Sequence, residues 1–134
     1  MIVVDSSVWI DYFRGIDAPH TTKLESIIGI EQIAVGDLVL TEVLQGYQQQ
    51  SDFFNALKLL SRFDLITLAG STVAIASAQN YVKLRSLGIT IRKTIDTIIA
   101  TRCILSGFHL LHNDRHFLPF EEHLGLKCVK LSDS

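Results

Sequence analysis

The feature that most constrains this chain is a switch in the period of its apolar residues, repeated from end to end. Short β-branched runs alternate with longer stretches in which apolar positions recur at helical spacing. Met1-Ile2-Val3-Val4 reads as a buried strand, and Ser6 or Ser7 can cap a helix through Trp9 to Arg14. Ile33-Ala34-Val35 is a second strand, followed by a helix over Asp37 to Tyr47 that carries Leu38, Leu40, Val43 and Leu44. Phe53, Leu57 and Leu60 fall at helical spacing on a helix that Ser51 or Asp52 would cap. Asp64 to Leu68 is a third strand, and Ser71 to Leu87 is a helix closed by Gly88 in the position after its C-cap. Thr94 to Ser106, closed by Gly107, precedes a fourth strand over Phe108 to Leu111. Arg115 to His123 reads as a short helix and Lys127 to Leu131 as a fifth strand. Strands separated by helices call for right-handed crossovers. The expected fold class is therefore α/β, a three-layer α/β/α domain around a mostly parallel five-stranded sheet.

Length and composition narrow the classes of function. The 134 residues suit one domain, 1–134, and 48% hydrophobic content with 19% charged residues excludes intrinsic disorder. No apolar run exceeds four residues, so neither a membrane span nor a secretory signal is expected, and the protein reads as cytoplasmic. Two cysteines, Cys103 and Cys128, are too few for a disulfide scaffold and read as reduced thiols. Twelve basic against 14 acidic side chains give a net charge of −2, which argues against gripping nucleic acid by bulk positive charge. A local basic patch remains compatible with that balance.

In an open parallel sheet the ligand crevice lies at the carboxyl ends of the strands, which directs attention to acids just after strands. Asp5 directly follows the first strand, and Asp114 comes just beyond the fourth. Glu42 stands in the helix after the second strand, and Asp96 in the first turn of an apolar helix. Taken singly, each has an ordinary structural use: Asp5 as an N-cap, Asp96 on the helix dipole, Asp114 in a turn, Glu42 on a solvated face. Taken together they describe a different object. Carboxylates converging at ~5 Å would repel by about 3 kcal/mol per pair at an effective dielectric near 20. Such a cluster needs raised pKa values or a bound cation, and oxygen-only ligands favour Mg²⁺ or Mn²⁺ over zinc.

The residues around these acids resemble a known family. Asp5-Ser6-Ser7-Val8-Trp9-Ile10 is similar to the opening motif of PIN-domain nucleases, and Thr41-Glu42-Val43-Leu44-Gln45-Gly46 to their second motif. Ile95-Asp96-Thr97-Ile98-Ile99-Ala100 resembles the third motif, and Leu111-His112-Asn113-Asp114-Arg115-His116-Phe117 the fourth. A free-standing domain of this length resembles the VapC toxin of a VapBC toxin–antitoxin pair. The resemblance implies a toxic, metal-dependent endoribonuclease that hydrolyses structured RNA, transfer or ribosomal, and blocks translation. It implies Asp5, Glu42, Asp96 and Asp114 as the catalytic set, with Asp5 and Asp96 as direct Mg²⁺ ligands. Glu42 and Asp114 would act through water or at a second site, and Mn²⁺ could substitute for Mg²⁺. A VapB-type antitoxin whose C-terminal segment covers the acidic crevice, an RNA substrate and a homodimer are the implied partners.

Two positions depart from the commoner pattern: His112 stands where many relatives have Thr or Ser, and His116 where many have a second aspartate. His112, Asp114 and His116 alternate along the chain, which also permits a transition-metal site on one side of an extended segment. Arg92, Lys93 and Arg115 flank the acids and are the candidates for phosphate contact, with solvated helix ends as the plain alternative. Trp9, Phe53 and Phe54 read as core or interface residues. Competing functions are a catalytically inactive PIN fold that only binds protein, and a phosphoryl-transfer or receiver-like domain. Asp5-Ser6-Ser7 lacks the second acid that phosphoryl transfer and receiver chemistry use, which weighs against the last two.

Overall fold

A computed structural model of the protein describes residues 1–131; the last three residues of the expected domain, 132–134, lie outside the described residues. Five strands form one sheet: β1 (Ile2–Val4), β2 (Ile33–Gly36), β3 (Asp64–Ile66), β4 (His109–Leu111) and β5 (Lys127–Cys128). Their order is β3-β2-β1-β4-β5 and every pairing is parallel, so the expected mostly parallel sheet is wholly so. β1 occupies the centre, Ile2 pairing with both Ile33 and His109, and its Val3 and Val4 are fully buried. An uninterrupted β-branched run belongs in such a strand because both of its faces are covered.

The helices are α1 (Ser6–Phe13), α2 (Pro19–Ile27), α3 (Asp37–Leu44), α4 (Gln50–Leu60), α5 (Ser71–Ser86), α6 (Thr94–Ser106) and α7 (Leu118–Leu124), with a 3₁₀ turn over Arg115–Phe117. From β1 to β3 the chain steps across the sheet in one direction; from β3 it returns past β1 and steps the other way to β5. Right-handed crossovers then put α1–α4 on one face and α5–α7 on the other. The packing agrees: α1 meets α2 and α3, α3 meets α4, and α5 meets α6 and α7. Trp9 is fully buried in α1, stacked at 5.9 Å on Phe13 and 5.4 Å from Phe63, whereas Phe54 is exposed.

The structure corrects several expected boundaries. Helix α1 is capped by Asp5, whose side chain accepts from the Ser7 backbone N–H, rather than by Ser6 or Ser7. Helix α4 begins after Gln49, ahead of Ser51 and Asp52. β3 ends at Ile66 because the Leu68 N–H is taken by Asp37 Oδ1 at 2.9 Å. β5 is shorter than expected, ending at Cys128 opposite Leu110, with the Val129 N–H donating to Leu110 O at 2.9 Å. Helix α2 is an addition, with Pro19 in its first turn and Thr21 Oγ1 accepting from the Ala18 N–H at 3.0 Å.

Candidate active site

The reversal of direction between β1 and β4 opens a crevice at the carboxyl ends of those two strands, where an open α/β sheet places ligands. Val4 pairs with Leu111, and the Asp5 N–H donates to Leu111 O at 2.9 Å, so the segments leaving both strands start side by side. Ser7 joins them. Its hydroxyl donates to Asp5 Oδ2 at 2.6 Å and accepts from the Asn113 N–H at 3.1 Å. Ser6 reaches to the neighbouring helix, donating to Glu42 Oε1 at 3.2 Å. The two serines, expected as caps, instead orient two of the four acids. The signal was their position directly after a strand-end acid.

Asp5 and Asp96 are buried, and each has one oxygen, Asp5 Oδ1 and Asp96 Oδ2, without a hydrogen-bond partner. Burying a bare carboxylate oxygen is costly unless the charge is neutralised or the group meets a cation. Burial, then the neighbouring charges of Asp5 and Asp114, push the Asp96 carboxyl up from 3.8 to about 7. Burial also raises Asp5, against the opposing hydrogen bonds from Ser7, and raises half-buried Glu42 with help from the Asp5 charge. Asp114 goes the other way. Partial burial opposes the shift, but hydrogen bonds from the His116 N–H and ring and from Lys93 hold it below the ordinary carboxylate range. The sequence-expected acids thus sense one another electrostatically: Asp96 feels Asp5, Asp114 and Glu42.

Among the described residues, donor atoms of Asp96, Asp114 and His116 lie within 4.8 Å of one another, spacing that a metal ion can bridge. Asp114 and His116 therefore join Asp96 in this group, whereas sequence reasoning paired Asp96 with Asp5. His112 is not part of it. Its Nδ1 accepts the Asp114 N–H at 3.1 Å and its ring lies 4.9 Å from Phe117, so the alternating His112–Asp114–His116 site does not form. Of the three expected phosphate contacts, Lys93 reaches the acids, its ammonium 3.2 Å from Asp114 Oδ2. Arg92 and Arg115 are exposed and pair with none of the four acids among the described residues. Asp37, another acid after a strand, is structural: it bonds the N–H groups of Leu38 and Leu68, both at 2.9 Å.

A profile of the PIN domain matches residues 2–121, a span containing all four acids and the crevice. The chain belongs to the PIN domain family. The five-stranded parallel sheet with its flanking helices is thus the PIN-like α/β/α fold anticipated from the four motifs. Among curated proteins, this PIN domain is 25% identical over 119 residues to VapC ribonuclease Mb1587 of Mycobacterium bovis, covering 87% of this chain and 89% of that protein. The same values hold for Ribonuclease VapC11 of Mycobacterium tuberculosis. Among solved structures, VapBC2 from Rickettsia felis bound to a promoter DNA fragment matches with a TM-score of 0.76 at 19% identity, covering 96% of this chain and 98% of that one. Mycobacterium tuberculosis VapC20, a sarcin–ricin-loop-cleaving toxin, matches with a TM-score of 0.67 at 14% identity, covering 88% and 93%. At those identities the structural likeness shows the PIN fold. No described helix is long and apolar enough to cross a membrane, and both cysteines are free, their thiols pushed up to about 12, chiefly by burial.

Proposed function

We propose that this PIN domain is a metal-dependent endoribonuclease, the toxin of a VapBC-type pair, which hydrolyses phosphodiester bonds in structured transfer or ribosomal RNA in the cytoplasm and so stops translation. The observation that carries the reading is the pair of buried, unpartnered oxygens, Asp5 Oδ1 and Asp96 Oδ2, beside a third carboxylate. A hard divalent cation is the ligand such a site fits, and Mg²⁺ with Mn²⁺ as substitute matches the carboxylate donors. The named VapC ribonucleases supply the reaction class. When bound, the ion makes a hydroxide available near neutral pH and neutralises charge on the phosphoryl oxygens.

The chain's own residues divide the remaining work. Asp5, Asp96 and Asp114 would hold the ion, and Ser7 fixes the Asp5 carboxylate while tying down the loop that carries Asp114. Glu42, held by Ser6 and made less acidic by burial, orients the attacking water. Lys93 is more than half exposed and now pairs with Asp114; it is placed to turn to a substrate phosphate at the rim. Arg92 and Arg115 extend that basic rim along the RNA. The antitoxin partner covers the same crevice with a C-terminal segment that offers Arg or Lys to the carboxylates, and the domain works as a homodimer.

An RNase assay on nuclease-free preparations tests the activity. Cleavage should need added Mg²⁺ or Mn²⁺, cease with chelator, and be absent in Asp96→Asn; cleavage that survives in Asp96→Asn rejects the site. For inhibition, a complex whose partner stays clear of Asp5, Glu42, Asp96 and Asp114 would contradict the mechanism. Light scattering that gives a strict monomer at micromolar concentration would remove the dimer.

A further inference from the structure

The position at which this chain departs most from an all-carboxylate centre is His116, and its surroundings differ from those of a surface histidine. Its backbone N–H donates to Asp114 Oδ1 at 2.9 Å, and its ring Nδ1 lies 2.6 Å from the same oxygen. That short contact fits a ring that donates from Nδ1 to the carboxylate oxygen. In the neutral ring Nε2 is then left with a lone pair and no proton. The 3₁₀ turn at Arg115–Phe117, capped by the Asp114 side chain, fixes the ring relative to the acids. A His116 nitrogen falls within 4.8 Å of carboxylate oxygens of both Asp96 and Asp114. Next to that set stands the buried Asp96 Oδ2, which has no partner of its own.

A carboxylate that accepts from one ring nitrogen while the other faces a cation is a recurrent way to orient a metal-ligating histidine. We propose that His116 supplies a ring nitrogen to the metal centre, making it a mixed nitrogen–oxygen site that selects Mn²⁺ over Mg²⁺. The inference rests on the reading that the acidic crevice binds a divalent cation. Asp114 then has two duties, orienting the imidazole through Oδ1 and presenting Oδ2, now on Lys93, to the cation. Mg²⁺ prefers oxygen donors and retains its waters, whereas imidazole suits first-row transition ions, so exchanging an acid for a histidine at this position moves the preference in one direction. His112 cannot substitute, because its Nδ1 already accepts the Asp114 N–H and its ring packs on Phe117.

Pulsed electron paramagnetic resonance on the full chain loaded with Mn²⁺ reads the ligand directly. The expected spectrum carries nitrogen hyperfine coupling from one imidazole, and His116→Asp should abolish it. Calorimetric titration with Mn²⁺ and Mg²⁺ should show the Mn²⁺:Mg²⁺ affinity ratio falling about tenfold in His116→Asp. Mn²⁺ bound without nitrogen coupling, or coupling that persists in His116→Asp, overturns the inference and leaves the metal-dependent nuclease standing. Failure to bind either ion overturns both. If His116→Asp does not fold, a wild-type spectrum without nitrogen coupling still overturns the inference, and His116→Asn provides a second check on both the coupling and the ratio.

Discussion

Asp96 illustrates how one side chain can be read in two opposed ways. As a first-turn acid it would stabilise α6 through the helix dipole by a few tenths to about 1 kcal/mol. In the structure it is buried beside Asp5 and Asp114, and its carboxyl is pushed from 3.8 up to about 7. An acid whose folded-state pKa is raised binds more protons folded than unfolded, so stability falls as pH rises between the two values. Metal-free protein should therefore lose stability from about pH 4 to about pH 7, and Asp96→Asn should lose less. At neutral pH the metal-free Asn variant should match or exceed wild type in urea unfolding. Mn²⁺ should stabilise wild type by about 2.7 kcal/mol at a hundredfold excess over its Kd, and the variant far less. A variant weakened at neutral pH, with its metal-induced shift intact, would return Asp96 to the helix dipole. Asp5 and Asp114 were legible in the sequence because Asp5 directly follows a strand and Asp114 comes just beyond one, where the sheet puts ligands. Glu42 was legible through its motif alone, since nothing in helical periodicity marks a crevice-facing acid. His116 was visible as a departure, but its partnership with Asp114 depends on a turn that the spacing does not reveal.

At the level of elements, the junction between β2 and α3 leaves no room for a side chain at its glycine. Gly36 lies at the end of β2, and a methyl group there would collide with the side chain of Leu68, which is itself fully buried. Asp37 holds the Leu68 N–H in place, so the backbone cannot easily retreat. Gly36→Ala should destabilise the fold by roughly 1–3 kcal/mol through overpacking, and adding Leu68→Val should recover part of that loss. Chemical denaturation of both variants measures the coupling; strict additivity would mean that the two positions do not press on each other. The same junction explains why β3 is shorter than its apolar run, because a side-chain acceptor captured the N–H that would have continued the ladder. Helix α2 escaped the sequence pattern for a related reason. Its buried face includes His20 and Thr21 beside Leu24 and Ile27, and His20 is tied to Asp11 at 2.7 Å. Polar residues satisfied inside a face erase the apolar period that announces a helix.

For the molecule as a whole, the crossover pattern decides where chemistry can occur. Four acids spread from Asp5 to Asp114 meet because β1 lies between β2 and β4, although β4 is the next-to-last strand in the chain. The alternation of strand and helix was enough to anticipate the layers and a parallel sheet. The order of the strands was not, because period carries no information on which neighbours pair. That order has a consequence in time. Synthesis reaches β1 long before β4, so β1 must wait for β4 before its second edge is covered and before Asp5 meets Asp114. Fragments ending at Ser106 keep three of the four acids but lack β4, and should show neither a cooperative unfolding transition nor Mn²⁺ binding by calorimetry. A cooperative, Mn²⁺-binding fragment would show that the centre matures earlier. Latency during synthesis is thus written into the topology: the crevice cannot assemble until β4 has been made and has paired with β1.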